Sequence, residues 1–245
     1  MRKILLLTSF ILLFCIYSHA QISDCSDCGK SLLTERDIKD KSLEELSLLR
    51  NEIFARNGYI FNNTRYDRYF SSQGWYNPVK NNTDVKLSGI ENQNIEFLKK
   101  HENQIQKRRD IALSDLKILK TALNENNATI VNKFFKKLKE TDPYATPDLL
   151  KKILNKLDLN QIHWNKGRGY YGVRIDNGYC ITLYSVYFDN ETITVNISDP
   201  MSHSEIFGDF DDGYSDYMSE SEHSASFVFK MTDNGITLEY CQMAG

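Results

Sequence analysis

The sequence has no excess of positive charge, no second long apolar run after its first residues, and none of the short signatures of common catalytic sites. Thirty Lys and Arg stand against 33 Asp and Glu, a formal charge of −3. A general nucleic-acid binder needs a basic field to displace counterions from phosphates, so that class is excluded. No Gly-x-Ser-x-Gly, His-Glu-x-x-His or phosphate-cradling glycine loop occurs, which lowers the case for a hydrolase or nucleotide enzyme. Gly167-Arg168-Gly169 is too short for a phosphate loop and reads as a turn. His101 and His163 have no metal-ligand spacing, and the residues imply no cofactor. There is no internal repeat, and 245 residues suffice for two ordinary domains.

The one long apolar run is at the start. Arg2 and Lys3 precede Ile4 to Tyr17, and Ser18-His19-Ala20 offers the small residues that a signal peptidase reads. Residues 1–20 are therefore expected to be a secretory leader, cleaved between Ala20 and Gln21, since the run falls short of the ~20 residues needed to span a bilayer. Phe14 before Cys15 argues against a lipoprotein signal. Loss of Arg2 and Lys3 with the leader, which contains no acid, takes the charge from −3 to −5. No transmembrane segment is expected in the mature chain, which is placed in the periplasm or outside the cell.

Five cysteines become four once Cys15 leaves: Cys25, Cys28, Cys180 and Cys241. An even number in an exported chain favours disulfides, with three possible connectivities. Cys25-Ser26-Asp27-Cys28 also has the spacing of a redox pair or half a zinc knuckle. It lies in a polar stretch rather than between strand and helix, however, and a second close pair is missing. A Cys180–Cys241 bridge would close a loop long enough to contribute on the order of 4 kcal/mol.

Residues 21–41 lack periodicity and read as a polar tail or linker. Ser42 and Glu45 then form a capping box. Leu46, Leu49 and Ile53 follow at helical spacing, and Gly58 supplies a left-handed stop, so a helix is expected over about 43–57. Glu52 and Arg56, four apart with the acid first, are placed to pair. Tyr66, Tyr69 and Phe70 suggest a short second helix, which Gly74-Trp75-Tyr76-Asn77-Pro78 ends. Ser88 and Glu91 cap a third, carrying Ile90, Ile95, Phe97, Leu98 and Ile105 and continuing into the basic run Gln104–Arg109, read as a solvated helical connector.

Leu49-Arg50-Asn51-Glu52-Ile53-Phe54-Ala55-Arg56-Asn57-Gly58-Tyr59-Ile60-Phe61, with Tyr69-Phe70, Trp75-Tyr76 and Leu87–Glu91 following in order, resembles the YARHG domain over roughly residues 40–105. The resemblance implies a small extracytoplasmic bacterial module, found beside peptidases and kinases, with no activity of its own assigned. Phe54 stands in the motif's Tyr position and Asn57 in its His position, so chemistry resting on that hydroxyl or imidazole would be missing here.

Beyond Ser114 the pattern predicts three amphipathic helices: one around Leu116, Leu119 and Leu123, one from Ile130 to Leu138 ended by Thr141-Asp142-Pro143, and one opened by Pro147. After Trp164 the period becomes two. Tyr170–Ile175, Tyr179–Phe188, Thr192–Ile197, Ser224–Met231 and Ile236–Cys241 read as strands, with turns at Asp176-Asn177-Gly178, Asp189-Asn190-Glu191 and Asn234-Gly235, the last expected as type I′. The expectation is an α+β chain: a YARHG-like helical domain over 42–109, then a domain over 113–245 with about three helices packed on an antiparallel meander.

Arg50, Glu52, Arg56, Trp75 and Tyr76 are the candidate ligand-binding residues, because arginine forks and exposed rings hold anionic sugars or carboxylates. The competing reading is that they knit a small domain together. Asp209, Asp211 and Glu220 match three places of a calcium loop, but Gly213 and Tyr214 break the pattern where a ligand and the turn glycine belong, so a solvated loop is preferred. The functional expectation is an exported, non-catalytic binding or cell-envelope-associated protein, whose partner is a cell-wall component or another envelope protein. The rival is an envelope enzyme with its site in the C-terminal sheet, using Tyr184, Tyr187 and the acidic loop.

Overall fold

The structure, a computed structural model, describes residues 24–135, 146–178, 180–199 and 223–244. The leader over 1–20 with its cleavage point, the acidic stretch with Asp209, Asp211 and Glu220, and the expected stop at Thr141-Asp142-Pro143 lie outside them. Two compact units appear: residues up to Lys41 with Glu45–Lys100, and Ser42–Glu44 with the chain from His101 onward.

In the first unit, α1 spans Leu43–Arg56 and α2 Thr64–Ser71. Gly58 takes φ +79° as expected. Its N–H reaches Ala55 O at 2.9 Å, and the Tyr59 N–H reaches Phe54 O at 3.0 Å. That is the Schellman pairing, and the Phe54 and Tyr59 rings, 5.7 Å apart, close it with an apolar contact. Gly58 is needed twice over, since a Cβ there would meet Asn77 O at 2.8 Å. The chain then runs into a cluster around Phe61 and the fully buried Phe70, whose rings stack at 5.0 Å.

Residues 24–41 are not a loose tail. Cys25 and Cys28 are joined in a disulfide and buried, and Ile38 is buried too. Asn94, 1% exposed, holds this segment. It accepts from the Leu33 N–H at 2.8 Å and donates to Cys28 O at 2.7 Å and Ser31 O at 2.8 Å.

Asn94 belongs to α3, Gly89–Asn124. The expected third helix, its helical connector and the helix around Leu116 form one continuous helix, because no Gly or Pro interrupts it after Gly89. Its start carries the expected box: Ser88 N–H to Glu91 Oε2 at 2.7 Å and Glu91 N–H to Ser88 Oγ at 3.1 Å.

In the second unit, α3 continues into α4, Ala128–Phe134, and α5, Pro147–Lys156, which Thr146 caps. Six antiparallel strands follow in chain order: β1 His163–Asn165, β2 Arg168–Asp176, β3 Ile181–Phe188, β4 Thr192–Asp199, β5 His223–Thr232 and β6 Gly235–Ala244. The chain is thus α+β. Leu116, Leu119, Leu150 and Ile153 from the helices pack with Val186, Phe188, Val195, Phe227 and Phe229 from one sheet face. The β5–β6 turn is centred one residue earlier than expected, on Asp233-Asn234, with Thr232 opposite Gly235. Neither turn residue has positive φ. Gly235 instead allows close approach of Asp115, whose carboxylate accepts from the Ile236 N–H at 3.0 Å.

Cys180 and Cys241 form no disulfide. The strand order explains this. Cys180 precedes β3 and Cys241 lies on β6, three strand spacings away or about 14 Å, whereas a bridge needs Cα atoms within about 7 Å.

Candidate functional site

The last turn of α1 positions Glu52 and Arg56 on one face, as their spacing implies. Arg56 Nε and Nη2 both donate to Glu52 Oε1, at 2.8 and 2.6 Å. Glu52 is 5% exposed. The guanidinium also lies over Trp75, 4.2 Å from its ring centroid, and Asp24 Oδ1 is 3.8 Å from Nη2. Hydrogen bonds from the Ser26 hydroxyl and N–H hold the Asp24 carboxyl below its ordinary range, with Arg56 adding to them. Arg56 is therefore surrounded by two carboxylates and a ring, and its charge is already answered before any anionic ligand arrives.

The structure brings Glu52, Arg56 and Trp75 together and separates the other two candidates. Tyr76 turns into the aromatic cluster, donating to Tyr59 O at 2.8 Å, and burial with nearby Asp67 raises its hydroxyl above its usual range. Arg50 sits about 200° around the helix from Glu52. There it donates to Ser47 Oγ at 3.4 Å, which in turn meets Tyr66 OH at 2.7 Å. Trp75 and Tyr69 remain 39% and 43% exposed.

Asn57, in the motif's His position, donates to Ile53 O at 2.9 Å and to Glu91 Oε1 at 2.7 Å. Burial raises the Glu91 pKa, but the hydrogen bonds from Asn57 and from the Ser88 N–H and hydroxyl outweigh it and hold the carboxyl below its ordinary value. Asn57 thus ties the end of α1 to the start of α3.

Arg109 belongs to the run whose polarity predicts solvation, yet it is 6% exposed. It donates to Glu44 Oε1 at 3.3 Å and lies 4.3 Å from the Trp164 ring centroid, while Glu44 Oε2 accepts from the Gly167 N–H at 2.8 Å. Burial opposes ionisation of Glu44, but these hydrogen bonds and the Arg109 charge keep its carboxyl below the usual range. Each of the two tryptophans therefore carries an arginine. Asn94 and Arg109 share one sequence signal: a polar residue on a helix whose buried stripe is otherwise apolar.

In the sheet, Tyr184 and Tyr187 point to opposite faces, as an odd separation requires. Tyr184 is buried, and burial, Asp199 and Cys180 together raise its hydroxyl, whereas Tyr187 is half exposed. They do not form one site. Among the described residues no group of three His, Cys, Asp or Glu is placed to hold a metal ion.

These features define a two-unit chain in which a small disulfide-closed helical module precedes an α+β meander. The model of the YARHG domain family matches residues 25–103, so the chain carries a YARHG domain. The match begins at Cys25, upstream of the resembling stretch, where Asn94 ties the disulfide loop to α3. No curated protein and no solved structure matches the chain.

Proposed function

We propose that the chain is an exported, non-catalytic binding protein of the cell envelope, with the YARHG unit contacting cell-wall glycan or peptide through Trp75 and Tyr69. The observation that carries this reading is the Trp75 ring, fixed by Arg56 on a rigid helix end and still open to solvent. A ring held this way stacks on a ligand with little ordering cost. The closed Cys25–Cys28 bridge fits an oxidising compartment. Among the described residues no helix is long and apolar enough to cross a membrane.

Co-sedimentation with purified peptidoglycan sacculi tests the proposal. The chain is expected in the pellet, and Trp75→Ala is expected to return it to the supernatant while still unfolding cooperatively, with a Tm lowered only by the lost Arg56 stacking and Phe70 contact. A wild-type chain that never pellets would refute the reading.

A further inference from the structure

The face of the sheet opposite the helices carries two adjacent rows of side chains that the packing does not explain. Register places Tyr170, Tyr187, Thr194, Val228 and Tyr240 side by side across β2 to β6. The neighbouring row is Gly172, Ser185, Asn196, Ser226 and Gln242. The rows extend over four strand spacings, about 19 Å.

Two features show that the tyrosines are placed there. The pairing of β5 with β6 shifts register between Val228 and Phe229, leaving Glu239 as an extra residue. Without that bulge Tyr240 would follow Ile236 and Leu238 into the core. With it, Tyr240 faces outward at 49% exposure while Cys241 packs inward. Tyr170 lies along its strand over Gly172, where a Cβ would collide with its hydroxyl. Its ring is 4.7 Å from that of Tyr187, and the two are 45% and 50% exposed.

Charge decides the partner. Charged residues make up 26% of the chain, and Val228 and Ser185 are buried, so the other eight positions would be expected to hold about two. These two rows hold none; the charges that flank them, Arg168, Arg174 and the Lys230–Glu239 pair, stand outside them. A nucleic acid needs a basic surface and an anionic polymer at least a fork of arginine, so both are disfavoured. Exposed rings beside a row of hydroxyls and amides suit a ligand that is uncharged, flat on one side and rich in hydroxyl groups. Asn196 is already oriented, its Oδ1 accepting from Ser226 Oγ at 2.7 Å. We propose that this face binds a neutral oligosaccharide, stacked along the Tyr170–Tyr240 row and hydrogen-bonded by the Asn196 and Gln242 amides. The site is separate from the Trp75 surface and goes beyond the function proposed for it.

The test screens the purified chain on a printed array of neutral β-linked hexose and N-acetylhexosamine oligosaccharides, then measures affinity for the best-retained oligosaccharide by calorimetry. Tyr170 also shields Gly172, so the informative variant is the double substitution Tyr187→Ala and Tyr240→Ala at the exposed positions. Affinity is expected to fall at least tenfold at an unchanged Tm, while Trp75→Ala leaves it intact. An array without retention, or an affinity indifferent to the double substitution, overturns the proposal. So does a dimer in sedimentation that the same substitution dissociates, since the face would then belong to a second copy. Sacculus pelleting lost only in Trp75→Ala, with no array binding, removes this site and leaves the proposed envelope function standing.

Discussion

Replacing Arg56 by Ala removes the charge that donates two hydrogen bonds to buried Glu52 and uncovers one face of Trp75. Breaking a buried pair from one side costs about 3–5 kcal/mol. Arg56 keeps 26% of its side chain in solvent, so a value near 2–3 kcal/mol fits better, with about 0.5–1 kcal/mol more from the lost stacking. The expected destabilisation of the YARHG unit is thus about 3 kcal/mol. Arg50, whose hydrogen bond to Ser47 Oγ is long at 3.4 Å, is expected to cost less than Arg56 when replaced by Ala. Urea unfolding followed by tryptophan fluorescence in a Trp164→Phe background leaves Trp75 as the reporter. Adding Glu52→Ala to Arg56→Ala should recover part of the loss, with a coupling on the order of 2 kcal/mol. An Arg56→Ala chain that unfolds within about 0.5 kcal/mol of its parent but no longer pellets with sacculi would refute the reasoning, because Arg56 would then serve the ligand rather than Glu52.

Asn94→Ala removes three hydrogen bonds and leaves Cys28 O, Ser31 O and the Leu33 N–H without their partner. At about 1 kcal/mol each, the loss is near 3 kcal/mol, and the Cys25–Cys28 loop should become accessible to protease or amide exchange before the rest of the unit. In acid, Glu91 has a folded-state pKa below its ordinary 4.5, so the unfolded chain takes up its proton first as pH falls. Its contribution is fully present above that ordinary value and is lost as pH drops through the lower folded value. Glu91→Gln should flatten this part of the pH–Tm curve, and a parallel curve would count against the Asn57–Glu91 contact.

Local signals in the chain were sufficient for α1, its Gly58 stop, the Ser88–Glu91 box, the Pro147 start and the antiparallel meander, because each depends on propensity, capping or period over a few residues. The Glu52–Arg56 pair is equally local. What required the tertiary structure was every decision made by residues far apart in sequence. Asn94 converts a seemingly shapeless polar stretch into part of the YARHG unit across more than sixty positions, and Asp115, far away in sequence, accepts from the Ile236 N–H where the last hairpin turn sits one residue earlier than its pattern implies. The strand order keeps Cys180 from Cys241, and a single bulge decides that Tyr240 faces out with Tyr170 and Tyr187. Periodicity reports which residues alternate. Register and close approach, fixed only when the strands and helices meet, decide which of them share a surface.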